Sequence, residues 1–121
     1  MAVSESGAWP RQIRVLRAAR ALEIDFDDGA SFRYPAELLR VESPSAEVQG
    51  HTPAQKVTVP GKRQVGIAAL EPVGNYAVRI VFDDGHDTGI YSWPNLYRLG
   101  RDQDALWHAY LTALAAQGLS R

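Results

Sequence analysis

The feature that most constrains the fold of this chain is an internal duplication. Residues 21–39, "ALEIDFDDGASFRYPAELL", match residues 77–96, "AVRIVFDDGHDTGIYSWPNL", with a shift of 56 residues from Phe26 to Phe82. Apolar–polar alternation with a period of two is typical of a half-buried strand, and Asp-Gly favours a tight hairpin turn. In both copies a tyrosine, a proline and a leucine follow. The duplication therefore predicts two units, each with a strand, a turn, a strand and a short helix.

The flanking segments predict further strands. Residues 12–16 alternate between apolar and polar side chains, and Gly74-Asn75 favours a tight turn between strands at residues 65–73 and 76–82. With the two FDDG hairpins, these strands predict a mostly antiparallel sheet.

Short helices are predicted after each hairpin. Pro35 suits the first turn of a helix, because its missing N–H would be unpaired there in any case. The second helix is predicted to begin near Ser92 or Pro94. Residues 46–63 lack sustained periodicity, and we interpret them as a long irregular loop.

A longer amphipathic helix is predicted at the C-terminal end. Asp102 is a suitable N-cap, and Gly118 marks the end of the helix. An apolar stripe indicates the face that packs on the sheet; its members are Leu106, Tyr110, Leu111 and Leu114. We therefore predict an α+β fold, in which two ββα-type hairpin units form a mostly antiparallel sheet covered by short helices and this final helix.

Composition limits the functions that such a fold could have. The chain has 121 residues, 45% hydrophobic and 22% charged, which predicts a flexible tail at residues 1–11 and a single domain at residues 12–121. A net charge of −1 gives no overall attraction to nucleic acid or to a membrane surface. Without cysteine, the chain cannot supply disulfides or thiolate ligands. No segment resembles a membrane span or a secretion signal, so we expect a cytoplasmic protein.

The second hairpin carries the only dense group of chemically active side chains. Asp83, Asp84, His86 and Asp87 could form a metal site or an acid–base site. Consecutive strand residues point to opposite faces, which opposes convergence of all four side chains. The first copy repeats the Asp-Asp-Gly without a histidine, which favours a structural role for the acids. A small metal-binding protein or enzyme centred on this group remains the alternative.

A local basic patch lies in and after the long loop. Lys56, Lys62 and Arg63 could meet an anionic partner, but a solvated role is favoured because the chain is nearly neutral. We do not expect nucleic-acid binding.

Two long segments resemble a known family. "YPAELLRVESPSAEVQGH" and "GKRQVGIAALEPVGNYAVRIVFDDGHDTGIYSWPNLYRLG" are similar to the bacterial domain of unknown function 971, also called the gamma-butyrobetaine hydroxylase-like N-terminal domain. The resemblance extends from Ile13 to the final helix. Related domains precede the iron- and 2-oxoglutarate-dependent barrel of eukaryotic dioxygenases, and others are fused to ATPases that carry iron–sulfur clusters. These fusions imply an accessory or docking domain.

The resemblance also implies the remains of a zinc site. In the dioxygenase relatives, three cysteines and one histidine hold zinc, and the matching positions here are Ser43, Ser45, Val48 and His86. Hydroxyl groups are weak neutral ligands and valine offers no ligand atom. The resemblance therefore implies a degenerate site, and we predict neither zinc nor another cofactor.

If the fold is shared, hydrogen bonds should replace the metal. We expect the turn at residues 43–48 to pack against the second hairpin, because a buried imidazole needs polar partners. The expected partner of His86 is Ser43 or Ser45, with Glu47 or His51 as further candidates.

These observations favour a non-catalytic accessory or protein-interaction domain. The candidate interaction surface comprises His86, Asp87, Tyr91, Lys56, Lys62 and Arg63. Trp93 and Tyr97 could extend it, although packing against the hairpin is the favoured role of both rings. The expected partner is an unidentified protein, and the fusions point to iron–sulfur assembly or carrier proteins.

Overall fold

Two three-stranded antiparallel sheets form the framework of the protein. The computed structural model describes residues 7–121. The first sheet has the order β1-β2-β3 and the second the order β4-β5-β6. The strands are β1 (Pro10–Leu16), β2 (Ala21–Phe26), β3 (Ser31–Pro35), β4 (Ile67–Val73), β5 (Ala77–Phe82) and β6 (Ile90–Ser92). The helices are α1 (Ala36–Val41), α2 (Ala46–Gln49), α3 (Trp93–Arg101) and α4 (Gln103–Ala116), with a short 3-10 turn at Pro53–Gln55.

The predicted α+β class and the two hairpin units are confirmed, but the strands divide between two sheets. The first unit is residues 10–41 and the second is residues 67–101. Strands β1 and β4 do not pair with each other. Instead, Arg17 donates from Nη1 to the carbonyl oxygens of Ile67 and Ala68, both at 2.9 Å. A side chain therefore joins the two sheets where a backbone ladder is absent.

The two units share their internal design. Strands β2 and β5 have the same alternation of buried and half-buried residues. Opposite Phe26 and opposite Phe82, the neighbouring strand is interrupted by the same kind of irregularity in register. Apolar side chains from both sheets and from α1 and α3 form one core; among them are Leu22, Ile24, Phe26, Leu39, Ile80, Phe82, Leu96 and Leu99.

Two buried tyrosines cross between the units. Tyr34 of β3 donates to the carbonyl oxygen of Leu96 in α3 at 2.7 Å. Tyr91 of β6 donates to the carbonyl oxygen of Leu39 in α1 at 2.5 Å. Both tyrosines are 0% exposed, and burial raises the pKa of each phenol. Each leucine lies five residues after the tyrosine of its own unit, so the sheet of each unit holds the helix of the other.

The predicted flexible tail, residues 1–11, includes residues at its C-terminal end that belong to the folded domain. Strand β1 begins at Pro10, and Ala8 is buried in the core, so the fold starts before residue 12. Residues 1–6 of the predicted tail lie outside the described residues.

The interpretation of residues 46–63 as a long irregular loop is only partly correct. Helix α2 lies at its start, with Ser45 as N-cap. Further along, the carbonyl of Val59 accepts a hydrogen bond from Tyr110 of α4 at 3.2 Å. The long connection is therefore tied to the C-terminal helix.

The predicted apolar stripe of α4 is confirmed for only part of its length. Tyr110 and Leu114 are buried, and they pack with Val41. Leu111 is exposed, because one more step around the helix turns it away from α1. No helix among residues 7–121 is long and apolar enough to cross a bilayer.

We expect Tyr34→Phe and Tyr91→Phe each to lower the free energy of unfolding by ~1–2 kcal/mol, because a buried carbonyl loses its hydroxyl partner. Urea denaturation of the full chain would measure both losses. Tyr76→Phe is the matched control, since Tyr76 is 51% exposed and should tolerate the change. A buried variant as stable as the unmodified chain would contradict the structural role.

Candidate functional site

The first aspartate of each FDDG motif holds the strand that precedes its hairpin. Asp27 accepts a hydrogen bond from the backbone N–H of Trp9 at 3.1 Å. Asp83 accepts the equivalent bond from Gly66 at 2.9 Å. Both carboxylates bind through Oδ1, so Asp83 has a structural partner that needs no metal.

The second aspartate of each motif closes the turn. Asp28 accepts from the N–H of Ala30 at 2.9 Å, and Asp84 accepts from the N–H of His86 at 3.0 Å. The following glycines have φ angles of +93° and +92°, a region that favours glycine. The same backbone device therefore occurs with and without the histidine, as the duplication predicts.

Asp84 also binds two cations. Its Oδ2 atom lies 2.8 Å from Nε of Arg40 and 2.7 Å from Nζ of Lys62. Burial alone would raise the pKa of Asp84, but the bonds from Lys62, the His86 backbone and Arg40 together lower it to about 2. Asp87 faces a different cation, with its Oδ2 3.7 Å from Nη1 of Arg79. The predicted acid cluster is therefore dispersed over separate partners.

His86 lies in a hydrogen-bond relay between the buried Ser43 and the exposed side chain of Glu47. Its Nε2 is 2.9 Å from Oγ of Ser43, and its Nδ1 is 3.1 Å from Oε1 of Glu47. Ser43 Oγ also accepts from the backbone N–H of Ser45 at 3.2 Å. In a neutral imidazole with the proton on Nδ1, Ser43 donates to Nε2 and every partner is satisfied. The expected contact between the turn at residues 43–48 and the second hairpin is confirmed.

The remaining positions of the predicted site are also engaged. Ser45 Oγ is 2.8 Å from Oγ1 of Thr88, and it accepts from the N–H of Glu47 at 3.2 Å. Val48 is buried, whereas His51 is exposed and is not part of the relay.

These groups do not fit a zinc ion. Two hydroxyls, a valine and an imidazole bound at both nitrogens lack the three strong ligands that zinc requires. No three histidine, aspartate or glutamate side chains within residues 7–121 are grouped as metal ligands would be.

A serine hydrogen-bonded to a histidine that is hydrogen-bonded to a carboxylate is the arrangement of an activated nucleophile. A substrate, however, has no access to this serine. Ser43 is 0% exposed and His86 is 7% exposed. A substrate could reach Ser43 Oγ only if the turn at residues 43–48 moved away. The relay as it stands joins two parts of the fold.

The structure corrects the candidate interaction surface. Tyr91 is fully buried with its hydroxyl bound to α1, because the inward face of β6 is part of the core. His86 is likewise enclosed. Lys56 pairs with Glu42 at 2.8 Å, and Lys62 pairs with Asp84, so two of the three basic residues are already in ion pairs. Arg63 is exposed, and Asp87 is partly exposed.

The favoured packing roles of two aromatic residues are supported. Trp93 is buried, and its Nε1 donates to the carbonyl of Asn75 at 2.9 Å. Tyr97 is half-buried, with edge contacts to Phe26 and Phe32.

An accessible groove surrounds the Glu42–Lys56 ion pair, and we call it the central groove. On one side lies a cavity of about 250 Å³, whose apolar lining comprises Val41, Val57, Val59, Leu106, Ala109 and Ala113. On the other side lies a more open cavity of about 510 Å³, lined in part by Pro44, Gln49, Ile90, Asn95 and Arg98. Val57 and Ile90, which are 48% and 47% exposed, stand at its two sides. Of the predicted surface residues, only Lys56 lines this groove.

Comparison of the two copies could have indicated one side of the groove. Ile90 of β6 pairs with Arg79 of β5, and at the matching place Arg33 of β3 pairs with Glu23 of β2. An apolar residue thus replaces a charged one on an outward strand position. The distant residues that complete the groove leave no such signal in the sequence.

Known proteins similar to this chain share its fold. Residues 13–97 match the family model described as "Gamma-butyrobetaine hydroxylase-like, N-terminal". Two proteins with NMR solution structures are 45% and 50% identical, with TM-scores of 0.81 and 0.83. The first match covers 94% of this chain and 90% of the other, and the second covers 100% and 90%.

A third match is a crystal structure from Acidithiobacillus ferrooxidans. It is of a protein with unknown function of the DUF971 family, 42% identical over 75% of this chain and 91% of the other, with a TM-score of 0.63. No protein in the curated set matches the chain.

We expect the stability of the fold to fall as the pH drops below about 6.5, through the protonation of His86. Burial lowers the pKa of His86 and the charge of Arg40 adds to this, while Glu47 and Asp84 oppose it. Since the folded pKa lies below the unfolded one, the unfolded state binds more protons in this range, and acid favours unfolding.

Urea denaturation between pH 7.5 and pH 5 measures this dependence. The His86→Gln variant should show a smaller change in the free energy of unfolding with pH. The control variant His108→Gln, at an exposed position on α4, should behave like the unmodified chain. Asp84 does not affect the slope in this range, because its stabilising contribution is fully present above pH 5 and is lost only as the pH falls from 3.8 toward its folded pKa of about 2. Equal pH dependence in the His86→Gln variant and the unmodified chain would contradict the role of the relay.

Proposed function

This chain belongs to the gamma-butyrobetaine hydroxylase-like N-terminal family, also named DUF971, and we propose that it is a non-catalytic module that binds another protein. The observation that carries this proposal is the central groove. It is open to solvent and flanked by the exposed apolar side chains of Val57 and Ile90. Apolar surface rimmed by polar residues, such as the lining of this groove, is typical of a docking surface.

The structural roles of the acidic residues and the histidine of the second hairpin also favour a binding function over catalysis. Asp83 and Asp84 close a hairpin, and His86 bridges it to the turn at residues 43–48. Each of these three residues therefore already has a partner within the protein. In the central groove, by contrast, the apolar side chains of Val57 and Ile90 stay exposed close to charged residues.

The partner class that we propose is iron–sulfur assembly or carrier proteins, or iron-dependent enzymes. This choice rests on the fusions of related domains, an argument by analogy. A cytoplasmic location remains a prediction. We do not propose nucleic acid as the partner, since Lys56 and Lys62 are each paired with a carboxylate.

The second candidate is a small metal-binding protein or enzyme centred on His86. The contacts of His86 with Ser43 and Glu47 favour this candidate, because a histidine between a hydroxyl and a carboxylate is a known way to activate a nucleophile. The burial of Ser43 and the separate engagement of the acids oppose it.

Affinity purification of the tagged full chain from its native cell, after brief chemical cross-linking, tests the proposal. We expect one stoichiometric protein partner, and at least a tenfold loss of it with Val57→Asp, which places a charge beside the apolar cavity. Leu111→Asp is the matched control: Leu111 is also exposed but lies on α4 outside the groove. Circular dichroism would verify that both variants are folded.

The two candidate functions give opposite results. If no protein is retained above background, or if Val57→Asp retains it fully, the groove-binding proposal fails. A stoichiometric divalent metal, with a thermal stabilisation that His86→Ala abolishes, would support the metal-binding candidate.

A further inference from the structure

The outer edge of β6 is an unpaired strand edge. Ile80 donates to the carbonyl of Gly89 at 3.3 Å, and Val78 lies opposite Tyr91. In an antiparallel ladder, alternate residues turn their polar groups toward and away from the neighbouring strand. The N–H and C=O of Ile90 therefore point away from β5. No residue among 7–121 bonds to them outside the ladder.

The first unit shows how the same edge is protected. Arg33 of β3 occupies the position of Ile90, and its carbonyl accepts a hydrogen bond from Nε2 of Gln103 at 3.0 Å. Its charged side chain is exposed, a usual way to discourage strand pairing. The second unit has neither device, since Ile90 is apolar and 47% exposed. The edge of β6 is thus left available where its counterpart is covered.

The charge beside this edge suits an acidic partner. Arg98 lies in the groove, and its Nη2 donates to the neutral Oδ1 of Asn95 at 2.9 Å. Asp102 is near enough for the charge of Arg98 to lower its pKa, but Asp102 is paired with Arg101, and no ion pair within residues 7–121 joins Arg98 itself to a carboxylate. Glu42 is already paired with Lys56, so the charges of these three groups sum to a positive value.

We infer that the outer edge of β6 accepts an extended acidic segment of a partner protein as an additional strand. The backbone of the segment pairs with Ile90, a carboxylate meets Arg98, and an apolar side chain enters the cavity beside Val57. An unpaired backbone donor and acceptor, next to an apolar cavity and a cation, match a peptide better than a small apolar ligand. This inference rests on the proposed function and specifies the chemistry of its partner.

Selection from a displayed library of random decapeptides against the purified full chain tests this inference. We expect enriched peptides that contain Asp or Glu together with alternating β-branched residues. Arg98→Glu should weaken their binding at least tenfold, and exchanging the peptide acids for lysine should restore it.

A backbone variant tests the strand pairing itself. Of the backbone groups, Ile90→Pro removes only the outward N–H, a position where an edge strand tolerates proline, and it should weaken binding at least tenfold. Ile90→Ala keeps the N–H and should weaken binding less. An amide NMR spectrum would show that each variant is folded, and Tyr76→Ser, exposed but outside the groove, should bind normally.

Several results would overturn the inference. One is that the unmodified chain enriches no peptides beyond those that the Arg98→Glu variant enriches. Another is that the enriched peptides bind the Ile90→Pro variant as tightly as the unmodified chain. A chain that dimerises through this edge, and that Ile90→Pro makes monomeric, would identify a second copy as the occupant instead. A native partner could also be lost with Val57→Asp but retained by both Ile90→Pro and Arg98→Glu. This result would support the proposed function and contradict binding by strand addition.

Discussion

The reciprocal hydrogen bonds of Tyr34 and Tyr91 are the interaction on which the rest of the structure depends. Each ties a helix of one unit to the sheet of the other, in a core that excludes competing water. The turn acids repeat the exchange, since Asp28 accepts from Tyr97 at 2.7 Å and Asp84 accepts from Arg40. Tyr97 and Arg40 directly follow the two leucines that the tyrosines bind. The helices are therefore held at matching places on both sides, which makes neither unit complete alone.

The features that the two units share serve the fold, so positions where the units differ are the ones that can indicate function. His86 replaces Ala30 and bridges its hairpin to Ser43. Ile90 replaces Arg33 and leaves a strand edge without a cap. The first departure is enclosed and stabilises the fold, whereas the second faces the central groove. Burial thus separates a residue that maintains structure from one that is available to a partner.

Much of the fold follows from local pattern, and less of the site does. The duplication predicts both hairpins, and its first copy begins with the strand at Ala21–Phe26. Only the family resemblance predicts the contact of His86 with Ser43, since the two residues are far apart in sequence. Alternation alone does not tell which face of β6 is buried, so the prediction that Tyr91 lies on the surface is wrong. The division into two sheets depends on long-range strand pairing, which a local pattern does not specify.

Native-state hydrogen exchange tests most directly whether the two units depend on each other. The amides of Ile24 in β2 and Ile80 in β5 report the two sheets separately. If the reciprocal tyrosines join the units into one cooperative structure, both amides exchange with the same free energy of opening, equal to that of global unfolding. Opening of one hairpin at a free energy lower by more than about 2 kcal/mol, while the other stays protected, would contradict this account.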